Sequence, residues 1–284
     1  MDTFTLSNGV EMPALIQGLP LLMGLSRITK DEFIKIVEWT VERSICGFDT
    51  SHEYGKSEEY LQSAIRVLKR RGIPRDSLFI ISKIGNGQQQ TGNIADCVDL
   101  SLKTMGLEYL DCMLLHWPVP GKYIENWDKL TAVYKTGKVR SIGIANARER
   151  HLRKLSDQQG LIFPHVVQTE IHPFNTCMDL RTFCCTQKIH LQSCSSLCCM
   201  IEKVRKNPIL KQIAHEHQKS IPQIMIRWLL QNSISPVFRA FQSAHLDELA
   251  HSSDFLLSPR EMSELENLNE DYRFHPESLN CPGF

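Results

Sequence analysis

The chain has no charge of one sign to spare: among 284 residues, 32 Lys and Arg balance 32 Asp and Glu. Without a basic excess, nothing points to a nucleic acid or an anionic membrane, and a small neutral or modestly anionic ligand is the expected partner. No stretch approaches the roughly 18 uninterrupted apolar residues of a membrane-spanning helix. The opening Met1-Asp-Thr-Phe-Thr-Leu-Ser-Asn-Gly lacks the basic-then-apolar order of a secretion signal, so a cytoplasmic protein is expected. Gly/Ser/Pro-rich linkers, low-complexity tracts and charge blocks are missing too, and residues 1–284 read as one domain with no obligate protein partner. Cysteine is not scarce, but none of the ten stands in a C-x-x-C spacing, which argues against a zinc knuckle or other metal site. Most lie inside apolar runs and are expected to be buried free thiols.

What the chain does have is alternation. After Phe4-Thr-Leu6 an Asn8-Gly9 turn leads to Glu11-Met-Pro13, the signature of a β-hairpin. Short apolar runs then alternate with segments of helical period. Strands are expected at 14–17, 45–49, 78–82, 110–115, 139–144, 165–168, 189–192 and 234–237. Thr29 with Glu32 forms a capping box ahead of Phe33, Ile36, Val37 and Val41. A basic helix is expected through Leu61 to Arg71, its Arg66, Lys69, Arg70 and Arg71 forming a solvated face. Ile94, Val98, Leu102 and Met105 share one face of another helix, and Ser220 and Ser258 start two more. Eight β/α units in an undivided chain favour a single (β/α)8 TIM-type barrel behind an N-terminal hairpin. The absence of G-x-G-x-x-G disfavours an open dinucleotide-binding sheet.

In such a barrel the active site lies at the C-terminal ends of the strands. Asp49, Lys83 and His116 end three successive strands, and Tyr54 follows Asp49 in the loop His52-Glu-Tyr-Gly55. A phenol gives up its proton poorly near neutral pH unless a cation stabilises the phenolate. Lys83 can be that cation, Asp49 can hold it charged, and His116 can donate a hydrogen bond to a substrate carbonyl. Such a site suits carbonyl reduction, enolisation or dehydration.

The runs Leu6-Ser-Asn-Gly-Val-Glu-Met-Pro13, Phe48-Asp-Thr-Ser-His-Glu-Tyr-Gly55, Leu115-His-Trp-Pro118, Gln168-Thr-Glu-Ile-His-Pro173 and Ile226-Arg-Trp-Leu-Leu-Gln231 resemble those of the aldo-keto reductases, over essentially the whole chain. The resemblance implies a barrel in which Asp49, Tyr54, Lys83 and His116 form a catalytic tetrad, with Tyr54 as general acid and NADPH as hydride source. It implies Asn146 and Gln168 as partners of the nicotinamide carboxamide, and Arg239, His245 and Glu248 at the positions that hold the rest of the nucleotide.

Several of those positions depart from the family pattern. Gly18-Leu19 replaces Gly-Thr, Ala145-Asn146-Ala147 replaces Ser-Asn-Phe, and Cys194-Ser-Ser-Leu197 replaces a Tyr-Ser-Pro-Leu stretch whose aromatic ring stacks under the nicotinamide. Val237-Phe238-Arg239-Ala240 replaces Ile-Pro-Lys-Ser, His245 stands for Arg, and Glu248-Leu249 for Glu-Asn. Arg239 can substitute for Lys as a phosphate partner. The expected activity is NADPH-dependent carbonyl reduction with weakened or lost cofactor binding. The alternatives are a redox-independent lyase, dehydratase or isomerase reusing the tetrad, or a non-catalytic regulatory member. Trp117, with Phe174, Trp127 and the tail from Asp271 to Phe284, is the candidate substrate lining. So short a tail predicts an open, shallow mouth.

Overall fold

The computed structural model describes residues 2–21, 28–158, 160–274, 276 and 281. Strands β1 (Thr3–Thr5) and β2 (Glu11–Pro13) form the expected antiparallel hairpin. Its turn is closed by Gly9 donating to the Leu6 carbonyl at 2.8 Å, with Gly9 at φ +82° in the left-handed region. Glu11 ties the two strands by accepting from the Thr3 and Thr5 hydroxyls at 2.7 and 2.6 Å.

The other eight strands close a parallel barrel: β3 (Ile16–Gly18), β4 (Gly47–Asp49), β5 (Phe79–Ile84), β6 (Cys112–Leu115), β7 (Ile142–Ala145), β8 (Val166–Glu170), β9 (His190–Cys194) and β10 (Ile234–Phe238), with β10 pairing back to β3. The helices that matter below are α1 (Lys30–Glu42), α2 (Ser57–Arg70), α3 (Asn86–Thr91), α4 (Ile94–Met105), α5 (Pro208–His217), α6 (Ile221–Gln231), α7 (Ser243–Ala250) and α8 (Pro259–Glu266). Capping boxes open α1, α6 and α8 at Thr29, Ser220 and Ser258. No described helix is long and apolar enough to cross a membrane.

Two apolar layers follow from strand alternation. Phe79 and Ile81 of β5, Cys112 and Leu114 of β6 and Val166 of β8 fill the barrel interior with Leu6 and Met12 of the hairpin. Their neighbours Ile80, Ile84, Met113, Leu115 and Val167 face outward into the larger core beneath the helices. The hairpin therefore plugs the N-terminal end, and the opposite end is left for chemistry.

Most strand boundaries shift by one or two residues from the sequence expectation, and three element starts differ for a visible reason. Strands β6 and β7 begin later than Leu110 and Val139, which meet only at an isolated bridge. The reason is Asp111, whose carboxylate accepts from the Ile80 amide at 2.9 Å, from Arg75 at 2.7 Å and from Arg140 at 3.0 Å, so polar bonds close this end of the sheet. Helix α2 starts at Ser57, before Leu61, because the buried Ser57 hydroxyl donates to the Leu19 carbonyl at 2.6 Å. The basic face of α2 is exposed as expected, with Arg71 paired to Glu38 and Glu42. His217 on α5 has a partner in Glu261 at 2.7 Å.

All ten cysteines are free thiols. Burial pushes the Cys184 and Cys198 thiols up to about 12, which keeps them unreactive. Titration after mild unfolding without reductant is expected to recover all of them; fewer than about eight per chain, allowing for incidental oxidation, would contradict this.

Candidate active site

The alternation that fills the barrel also aims the polar side chains. Asp49 lies two residues beyond Gly47 on β4, Lys83 lies two beyond Ile81 on β5, and His116 lies two beyond Leu114 just past β6, so all three share the inward parity. Gln168, two beyond Val166 on β8, shares it as well. Tyr54 comes from the loop after β4, where its amide donates to the Ser51 carbonyl at 3.0 Å.

The four residues converge. Lys83 Nζ donates to Asp49 Oδ1 at 2.5 Å and to the Thr50 carbonyl at 3.1 Å, and it stands 4.8 Å from the centre of the Tyr54 ring. The Tyr54 and His116 rings meet edge to face at 5.7 Å. Lys83 and Asp49 are 1% and 3% exposed, so this ion pair is screened little by solvent. Asp49 Oδ2 accepts from the Gln168 amide at 2.8 Å, and the same amide donates to Gln192 at 3.0 Å.

Burial costs the Lys83 cation most, but Asp49 and Tyr54 together outweigh it and hold the ammonium above the usual lysine value. For Tyr54 the balance goes the other way: burial raises the phenol, Lys83 pulls it down, and Asp49 opposes Lys83, leaving it above the ordinary tyrosine value. The sequence suggested a phenol acidified by Lys83. In the protein by itself, desolvation outweighs that cation. Tyr54 thus stays protonated near neutral pH, as a donor must, while Lys83 is placed to stabilise the phenolate as it forms. His116 Nδ1 contacts Glu53 at 2.8 Å, and burial keeps its imidazolium below the usual histidine value despite that carboxylate.

The family model for the aldo/keto reductase family matches residues 15–270. The chain belongs to that family. A glyoxal reductase of Bacillus subtilis is 36% identical over 97% of this chain and 95% of its own length. A methylglyoxal reductase of Salmonella typhimurium is 31% identical over 96% and 95%. The solved structure of a Bombyx mori aldo-keto reductase in complex with NADP superposes with a TM-score of 0.88 at 24% identity, covering 99% of both chains, and shares the fold. An oxidoreductase of aldo-keto reductase type is therefore established.

The residues that the resemblance assigns to the nucleotide lie along the same rim, though several are already engaged. Asn146, at φ +60°, donates its side-chain amide to the His116 carbonyl at 3.0 Å. Gln168 is committed to Asp49 and Gln192 as described. Arg239 is exposed just past β10, and His245 is exposed in the first turn of α7. Glu248 accepts from the Ser220 hydroxyl, and Leu249 is buried in an apolar cluster. Ala240 belongs to that cluster too, so a side chain at this position faces packing. Cys194, which ends β9 across from Glu170, has its thiol pushed up to about 12 by burial, with Glu170 adding to the effect. It offers a small inert surface where the family has a ring.

The substrate candidates divide. Trp127 is fully buried, donating to the Ile162 carbonyl at 2.8 Å, and Phe174 is core. Trp117 is 6% exposed and packs with Val119 and Cys281, so the tail returns to the rim over this indole. Tail residues 275, 277–280 and 282–284 lie outside the described residues, and with them the expected openness of the mouth. Glu53 and its contacts escaped sequence reasoning altogether, although its place directly before Tyr54 was a usable signal.

Proposed function

We propose that this protein is a cytoplasmic NADPH-dependent reductase of small aldehydes and ketones, with α-oxoaldehydes of the glyoxal and methylglyoxal type as its substrate class. The observation that carries this is the buried Asp49–Lys83 pair set against the Tyr54 ring. Such an arrangement stabilises negative charge on a phenol oxygen that has just lost its proton. The relatives named for glyoxal and methylglyoxal support the substrate class. Ten free thiols support a reducing compartment.

The rim fits NADPH with a reduced grip. Arg239 is an exposed guanidinium at the end of β10, suited to bidentate contact with a phosphate, and His245 lies on the following helix. When bound, NADPH supplies the hydride to the carbonyl carbon. Tyr54 gives its phenolic proton to the carbonyl oxygen as negative charge develops there, and Lys83 stabilises the phenolate left behind. Asp49 keeps Lys83 charged and in place, and Gln168 orients Asp49.

Purified protein given NADPH and methylglyoxal is expected to consume NADPH and form the alcohol in equal amounts. Conversion of the substrate without NADPH consumption would favour a lyase or isomerase. No conversion of methylglyoxal, glyoxal or simple aldehydes would overturn the proposal.

A further inference from the structure

Glu53 takes no part in the chemistry above, yet the segments that follow β5 and β6 are built around its carboxylate. It accepts from the backbone amides of Asn86 and Gly87 at the start of α3, and it stands 2.8 Å from Nδ1 of His116. Gly85 makes the space: a Cβ there would lie 2.0 Å from the Glu53 carboxyl carbon. The pair is braced at both ends, with the Glu53 amide donating to the Ser51 hydroxyl at 3.2 Å and Asn146 donating to the His116 carbonyl at 3.0 Å.

A carboxylate can only accept, so the Glu53 contact draws the proton of a neutral His116 ring onto Nδ1 and leaves Nε2 as a lone pair. Among the described residues Nε2 has no hydrogen-bond partner. We infer that Glu53 is a positioning residue: by taking Nδ1–H it makes neutral His116 an acceptor at Nε2, so that His116 donates to a substrate carbonyl only as the imidazolium. On the reductase reading proposed above, on which this rests, the carbonyl-orienting hydrogen bond is gained in acid.

The charges around the ring agree. Burial opposes the imidazolium most, Glu53 favours it, Lys83 opposes it and Asp49 favours it, with the balance below the usual histidine value; Tyr54 faces the ring uncharged at neutral pH. A lowered value means a neutral ring near pH 7 and a growing imidazolium fraction as pH falls.

Long-range proton–nitrogen spectra of protein labelled in its histidine rings test this, with His116→Asn identifying the signal. At neutral pH the wild-type ring is expected with Nδ1 protonated and Nε2 bare. Glu53→Gln, which still accepts Nδ1–H, should keep that tautomer while lowering the titration midpoint of His116. Glu53→Leu should switch the ring to the Nε2–H form. In kinetics, wild-type kcat/KM for methylglyoxal should rise toward acid with the His116 midpoint, and Glu53→Leu should lose that limb. A wild-type ring already in the Nε2–H form overturns the inference, as does an unchanged limb in a Glu53→Leu protein whose ring has switched. The spectra need no turnover, so failure of the reductase reading alone appears as a correct tautomer in an inactive protein.

Discussion

Tyr54→Phe is expected to lower kcat/KM for methylglyoxal reduction by about 10²- to 10⁴-fold, the usual worth of a positioned general acid. Folding should barely change. The Phe ring keeps the edge-to-face contact with His116 and the position under the Lys83 cation, and loses one hydroxyl worth about 1 kcal/mol. Lys83→Met should lower turnover at least as far, but with a different signature. It leaves Asp49 buried with only the Gln168 amide among its described partners, and breaking a buried pair from one side costs about 3–5 kcal/mol. Thermal denaturation beside steady-state kinetics separates the two: a marked fall in Tm for Lys83→Met, almost none for Tyr54→Phe. Near-parental activity in Tyr54→Phe would remove it as the proton donor.

Much of this site was legible because a barrel strand repeats every two residues. Phe79 and Ile81 are interior, so the two-residue repeat points Lys83 the same way, and Leu114 likewise commits His116. What was not legible depends on partners far away in the chain. The late starts of β6 and β7 follow from Asp111 gathering Arg75, Arg140 and the Ile80 amide, and no local pattern announces that. The early start of α2 depends on Ser57 reaching Leu19. Gln168 resembles a cofactor ligand, but its amide is drawn to Gln192 on the neighbouring strand and to Asp49 across the barrel. Glu53 is the extreme case, because its meaning lies in Gly85, α3 and His116, which follow two strands other than its own.

NADPH is expected to bind with a dissociation constant above the submicromolar range, and the cause is written along one rim of the barrel. Arg239 keeps one strong phosphate contact available. Cys194 gives up an aromatic platform worth about 0.5–1.5 kcal/mol beyond its area. Glu248 is occupied by Ser220, and Leu249 is turned into an apolar cluster, so neither offers a free polar group at no cost. His245 is exposed where the family places Arg, and a neutral imidazole cannot supply the bidentate, permanently charged contact of a guanidinium. Each missing charge-assisted contact costs about 1.5–3 kcal/mol, or roughly tenfold to a hundredfold in affinity. His245→Arg should therefore tighten NADPH by about that factor in calorimetric titration. The gain should shrink as salt is added, because the contact is exposed and screened. A submicromolar wild-type constant, or a His245→Arg protein no tighter than its parent, would show that the altered rim still grips the nucleotide through contacts other than these.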